Sequence, residues 1–237
     1  MNKTAMITGG AKRLGKAMAL FLAKHGYDIV LHYNASKEAA HETKKEIESF
    51  SVNCYLCAFD LCLSQDYDSF FSALPDAFSP VSLLIHNASV FVDTDYQNLR
   101  EDDFDRDFSV HVKAPLFISQ AFSKQTESGQ IIMMLDSRVS TERLDHFAYT
   151  LAKKSQLHLT KMLAKELAPK IRVNAICPGP ILPPPGESEA YLDNVSKTTP
   201  LEKAGSCDKI VKAVDYLLEA DFVTGECLYV DGGQHLV

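Results

Sequence analysis

Thr8-Gly9-Gly10-Ala11-Lys12-Arg13-Leu14-Gly15 follows directly on a short apolar run, Ala5-Met6-Ile7, and leads into an amphipathic stretch. In that stretch Leu14, Met18, Phe21 and Leu22 fall on one face at helical spacing, and Gly26 ends it. The order is therefore strand, glycine turn, helix. Such a turn lets backbone N–H groups and a helix N-terminus face a pyrophosphate. Lys12 and Arg13 add positive charge at the same rim. The spacing is not G-x-G-x-x-G, and a plain strand-to-helix connection reads the same way.

Outward from this turn, short apolar runs alternate with longer amphipathic ones. Strands are expected at 5–7, 28–33, 53–59, 81–86, 130–135, 171–176 and 226–230. Helices are expected at 14–25, 37–50, from the third strand through Phe71, at 104–124 with a bend near Pro115, at 149–167 and at 209–218. The strands are apolar without alternation, as when both sheet faces are covered. The pattern predicts an α/β fold: one domain over residues 1–237, a doubly wound parallel sheet of about seven strands, helices on both faces and right-handed crossovers. Residues 178–200 stand apart, with six prolines, three of them consecutive. That texture fits a loop covering a substrate, or a passive surface loop.

Nearly half of the 237 residues are apolar, enough for a large core without disulfides or metals. The formal charge of −7 argues against nucleic acid as a partner, because phosphate contacts need basic patches. No apolar run approaches a membrane span, so no membrane partner is expected. The chain starts straight into its first strand, and removing a leader there would remove core. Cys54 and Cys57 form a C-x-x-C inside an apolar run that reads as a strand. Redox pairs of this kind open a helix, and no second pair or histidine cluster completes a metal site. The six cysteines are expected as reduced, buried thiols of a cytoplasmic protein with no metal.

The end of the second strand should lie near an adenine ribose, where an acid selects NAD. Tyr33, Asn34, Ala35 and Ser36 include no acid, and Asp28 sits at the wrong end, beside Gly26, where it reads as a turn residue. With Arg13, Asn34, Ser36 and Lys37 nearby, NADP(H) is the expected cofactor. After the third strand, Asp60-Leu61 offers either a contact for the adenine amino group or an ordinary N-cap. Asn87-Ala88-Ser89 is expected to cap strand ends and form the floor below the nicotinamide.

Far downstream, Tyr149-Thr150-Leu151-Ala152-Lys153 puts a phenol and an ammonium on one face of a helix. A phenol is a poor acid at neutral pH, with a pKa of about 10, and a neighbouring cation lowers it. Without the glycine turn, the pair would read as a boundary tyrosine and a solvated lysine.

Taken together, TGGAKRLG (8–15), DL (60–61), HNAS (86–89), YTLAK (149–153), RVNAICPGP (172–180) and VDGG (230–233) resemble the short-chain dehydrogenase/reductase family from end to end. The resemblance implies a Rossmann-type fold, a homotetramer or homodimer, and cofactor contacts at Gly9, Lys12, Arg13, Leu14, Gly15, Tyr33, Asn34, Ser36, Asp60, Leu61, Asn87, Ala88, Ser89, Tyr149, Lys153, Pro178, Gly179 and Ile181. The usual catalytic serine lies thirteen residues before the tyrosine. Here that position is Asp136, with Ser137 one residue out of register. The usual asparagine after strand four is His111.

These departures resemble the pteridine reductases and the bacterial dihydromonapterin reductases. In that subgroup Phe91 matches an aromatic residue that stacks on the pterin, although core packing would also suit it. Arg13 and Ser89 match residues near pterin and cofactor phosphates. The expected activity is NADPH-dependent reduction of a dihydropterin, 7,8-dihydromonapterin foremost, with dihydrofolate or dihydrobiopterin as further substrates. Asp136 and Tyr149 would form a proton relay with Lys153 tuning the tyrosine, and Asp136 would otherwise be a strand-end cap. His111 would relay protons through water, touch the pterin, or be a satisfied interior residue. Two rivals stand beside this: a carbonyl reductase of 3-oxoacyl type using Ser137, and a dinucleotide-binding protein without catalysis.

Overall fold

The computed structural model describes residues 3–63, 66–142, 144–184 and 186–237. Seven strands, β1 (Thr4–Ile7), β2 (Asp28–Tyr33), β3 (Cys54–Ala58), β4 (Val81–His86), β5 (Gly129–Met134), β6 (Ile171–Pro178) and β7 (Cys227–Val230), form one sheet in the order β3-β2-β1-β4-β5-β6-β7. Every neighbouring pair is parallel. This is the single α/β domain with a parallel sheet that the alternating pattern predicts, and the Rossmann type that the family resemblance implies.

Strand alternation divides the core into two layers. Ala5 and Ile7 of β1 face one side, with Ile29, Leu31, Leu83 and Ile85. There they meet Met18 and Leu22 of α1 (Arg13–Lys24), Ile47 of α2 (Lys37–Glu48), and Ile210, Val214 and Leu217 of α8 (Cys207–Glu219). Met6 faces the other side with Val30, Leu84, Ile131 and Met133, against Ile118 and Phe122 of α5 (Ala114–Gln125) and Leu159 and Leu163 of α6 (Phe147–Glu166). A fully buried Leu or Ile in either layer contributes about 1.5–3 kcal/mol. Strand order reverses between β1 and β4, and such a reversal opens a crevice at the carboxyl ends of the strands.

Four local expectations are corrected. The helix through Phe71 shrinks to α3 (Ser69–Ser72), because Asp60 Oδ1 accepts the Cys62 N–H at 2.8 Å and makes residues 60–63 a turn. The long helix at 104–124 is interrupted. Glu101–Phe108 is α4, Ser109–Lys113 is a π-helical turn, and α5 starts afresh with Pro115 in its first turn, where a missing N–H costs nothing. The proline-rich stretch 178–200 holds a helix, α7 (Glu189–Ser196), whose N-cap Ser188 accepts the Tyr191 N–H. Asp28 is the first, buried residue of β2 rather than a turn residue, and it accepts the Asn53 N–H at 2.7 Å. Cys54 and Cys57 lie in β3 with free thiols, and burial pushes them up to about 12 and about 11. Among the described residues, no helix is long and apolar enough to cross a membrane.

Candidate active site

The crevice at the switch point is lined first by the glycine turn. Thr8 Oγ1 accepts the N–H groups of Asn87 at 2.9 Å and Ala88 at 3.0 Å, and Asn87 Nδ2 donates to the carbonyls of Thr8 and Gly9. On the other flank the Gly9 N–H donates to His32 Nδ1 at 3.1 Å, so His32 Nε2 carries its proton and donates to the Phe59 carbonyl at 2.9 Å. Burial lowers His32 to about 4 and keeps it neutral. The turn is thus fixed from β4 and from β2.

Gly15 closes the cradle: a Cβ there would lie 2.2 Å from the Gly9 carbonyl oxygen and 2.6 Å from Asn87 Nδ2. Helix α1 has no side-chain cap and no acid in its first turn, leaving its N-terminal N–H groups to a ligand. A pyrophosphate fits this donor set. Arg13 adopts φ +52° and its Nη2 donates to the Pro183 carbonyl at 2.6 Å, tying the turn to the 178–200 segment.

Two adjoining chambers make up the crevice. The larger, about 460 Å³, is lined by Gly9, Lys12, Arg13, Leu14, Gly15, Asn87, Ala88, Ser89, Phe91, Asp136, Tyr149, Pro178 and Gly179 among others. The smaller, about 230 Å³, holds Tyr33, Asn34, Ser36, Asp60 and Leu61. Gly9, Lys12, Ala88 and Ser89 line both. Ile181 stands apart from both chambers: it is buried, packs near Gly205 and lines a separate cavity beside β7. Lys153 and His111 line neither chamber and stand behind the wall.

At the centre, the Tyr149 hydroxyl donates to Asp136 Oδ2 at 2.7 Å. Asp136 Oδ1 accepts the Arg138 N–H at 2.8 Å and caps the short 3₁₀ turn Ser137–Ser140. The carboxylate is therefore both a strand-end cap and the partner of the phenol. Ser137 is 3% exposed, and its hydroxyl donates to Gln234 Oε1 at 2.7 Å.

Lys153, expected to tune Tyr149, faces the ring of the phenol and is hydrogen-bonded elsewhere. Lys153 Nζ sits 5.7 Å from the ring centroid and donates to the Met134 carbonyl at 2.7 Å and to Gln156 Oε1 at 3.2 Å. Burial, then the Asp136 carboxylate, push the phenol well above its ordinary value. Burial also lowers Lys153 to about 8, against the pull of Asp136.

Phe91 meets Tyr149 edge-on at 4.8 Å and stacks on His146 at 3.9 Å, with the Arg138 guanidinium 5.3 Å from its centroid. Sequence reasoning missed Arg138, Gln234, and Tyr191, Leu192 and Val195 of α7, all of which line the larger chamber. For α7 a signal existed: Ser188 as N-cap, with Leu192 and Val195 at helical spacing.

A family model described as enoyl-(acyl carrier protein) reductase matches residues 9–235. A short-chain type dehydrogenase/reductase of Picea abies is 28% identical over 98% of this chain and 92% of its own length. The chain belongs to the short-chain dehydrogenase/reductase family. As a member of that family it is an oxidoreductase. The 3-oxoacyl-[acyl-carrier-protein] reductase FabG of Staphylococcus epidermidis is 27% identical over the whole of both chains. The crystal structure of FolM alternative dihydrofolate reductase 1 from Brucella canis, complexed with NADP, superposes with a TM-score of 0.92 at 33% identity, covering 100% of this chain and 95% of that one.

Proposed function

We propose that this oxidoreductase reduces a dihydropterin with NADPH, 7,8-dihydromonapterin foremost and dihydrofolate or dihydrobiopterin as alternatives. One observation carries the proposal: the cleft presents the Asp136 carboxylate to the Tyr149 hydroxyl, while the Ser137 hydroxyl, in the lining of the same chamber, gives its proton to a hydrogen bond with Gln234.

Reduction of a ketone builds an alkoxide, which an anion at this place repels. Reduction of a C=N bond needs a proton on nitrogen, and a carboxylate favours the cationic iminium that results. When bound, the reduced nicotinamide supplies the hydride. Tyr149, held well above the ordinary phenol value, keeps its proton until a base stronger than a carbonyl oxygen arrives. The ring nitrogen becomes such a base as hydride reaches the neighbouring carbon. Tyr149 Oη then gives up the proton, Asp136 orients it, and the Lys153 ammonium offsets the charge left on the phenol.

NADPH over NADH is supported by the lining of the smaller chamber, where Asn34 and Ser36 stand with no acid directly after β2. The FolM structure, a dihydrofolate reductase by its description with NADP bound, supports both parts of the proposal. The segment 178–200 is proposed as the substrate cover, with Tyr191, Leu192 and Val195 of α7 over the chamber. A homodimer or homotetramer goes with the family. Leu116 and Phe117 on α5 and Leu151 and Met162 on α6 are exposed apolar side chains suited to such a contact.

The second reading is a carbonyl reductase, favoured by the likeness to FabG. NADPH absorbance with a panel of dihydropterins and 3-oxoacyl thioesters decides between them. Turnover of dihydropterins with NADPH at least tenfold above NADH is the expected result. Turnover of ketones alone would replace this proposal with the second reading, and turnover of neither would favour a non-catalytic dinucleotide binder.

A further inference from the structure

His111 is 0% exposed and sits in the π-helical turn, with its ring edge-on to Tyr149 at 5.2 Å. Its Nδ1 lies 2.9 Å from the Asp107 backbone carbonyl, an atom that only accepts, so Nδ1 carries the proton. Asp107 Oδ1, 3.8 Å away and without a hydrogen-bond partner among the described residues, favours a proton on the same nitrogen. Burial and the nearby Lys153 and Arg106 cations keep the ring neutral. Nε2 is then a bare lone pair in the interior.

Ser89 Oγ lies 3.0 Å from that lone pair. A buried acceptor left without a donor is costly, and among the described residues the Ser89 hydroxyl is the partner that Nε2 has. The alternative target of that proton, the Val90 carbonyl, is farther, at 3.4 Å. Ser89 is itself exposed and lines both chambers of the crevice. With its one proton turned inward, its oxygen offers the crevice nothing but lone pairs.

We propose that His111 is a positioning residue that holds the proton of Ser89, so that Ser89 accepts a hydrogen bond from a ligand N–H or O–H and discriminates against an anionic oxygen. This deepens the reductase proposal, on which its substrate arm rests, and assigns the ring amino group of the substrate as the donor. The π turn gives this a structural cause, since an extra residue in that turn re-aims the side chains around it.

The test has two arms. Long-range nitrogen–proton correlation spectra of protein labelled with ¹⁵N-histidine should show His111 with a protonated Nδ1 and a bare Nε2, and Ser89→Ala should shift the Nε2 signal. The opposite tautomer, or no shift in S89A, overturns the proposal. In the second arm, wild type should prefer a dihydropterin bearing the ring amino group over one with hydrogen in its place by about tenfold in kcat/KM. S89A and His111→Phe should each bring that ratio to within about twofold. A ratio preserved in folded H111F overturns the role of His111; where H111F does not fold, a ratio preserved in S89A overturns it. Wild type inactive on both pterins would refute the reductase proposal instead, with the spectra alone then deciding the role of His111.

Discussion

Tyr149 Oη donates to Asp136 Oδ2 across 2.7 Å, which joins a helix residue to the end of β5 at the position where the family usually places a serine. This bond sets the polarity of the site: the proton is on the phenol and the charge on the carboxyl. Asp136→Ala should free the phenol from its anionic partner and lower kcat by about 100-fold or more, in the range removed with a general acid–base group. Tyr149→Phe removes the proton itself and should lower kcat at least as far. Both variants should bind NADPH as wild type does in a fluorescence titration. Turnover of D136A at the wild-type rate would take the carboxylate out of the mechanism.

Lys153 gives the site an alkaline limit. Its ammonium is 2% exposed, and burial brings it down to about 8. Below that pH the cation is present and offsets charge left on Tyr149; above it the cation is lost. A plot of log kcat/KM against pH should therefore bend downward near pH 8. A profile flat well beyond that value would show that the charge of Lys153 is not needed.

Ser137 distinguishes imine from ketone chemistry. Its hydroxyl is held by Gln234 Oε1, so Ser137→Ala should cost about 1 kcal/mol of stability, the worth of a neutral hydrogen bond, and leave kcat within about twofold. A fall comparable to that of Y149F would mean that the serine reaches the reacting group, and the carbonyl-reductase reading would gain.

Much of this was legible in the sequence. The strands stood out because each is a short apolar run between polar helices, and their bounds shifted by only a residue or two. Asp136 was legible through the family resemblance, which places a serine thirteen residues before the tyrosine. The π turn was not, since Ser109–Lys113 reads as helix by composition and only the register of its hydrogen bonds differs. Helix α7 was hidden by the prolines that precede it. The environment of Lys153 was hidden for another reason: the carbonyl of Met134 that accepts its hydrogen bond belongs to a different element, and no local pattern announces it. Gln234 likewise reaches Ser137 across 97 positions of chain.

Buried histidines predict how the fold fails in acid. His32 is lowered to about 4 and His86 to about 3, both by burial first, from an unfolded value of 6.5. The unfolded chain takes up protons that the fold refuses, so the stabilisation is whole above pH 6.5 and falls as pH drops from there toward the folded values. Each group contributes a slope of at most about 1.4 kcal/mol per pH unit. Urea melts should show a clear loss of stability between about pH 7 and pH 5, and His32→Gln should flatten it by roughly one group's share. Identical midpoints at the two pH values would contradict the neutral, buried state of these rings.

The glycine turn separates fold from cofactor binding through two substitutions with different neighbours. At Gly15 a Cβ would meet backbone, the Gly9 carbonyl oxygen at 2.2 Å and Gly10 Cα at 3.0 Å, so the turn itself has to move. Gly15→Ala should raise the dissociation constant for NADPH by at least tenfold and cost about 1–3 kcal/mol, the usual range for overpacking. Gly26 has nothing within 4 Å of its added Cβ, and only its φ of +80° resists a side chain. Gly26→Ala should cost about 1–2 kcal/mol of stability, the left-handed penalty, with NADPH binding unchanged. The two variants thus differ far more in cofactor affinity than in stability. If G15A bound NADPH as tightly as G26A does, the pyrophosphate cradle would lie elsewhere in the crevice.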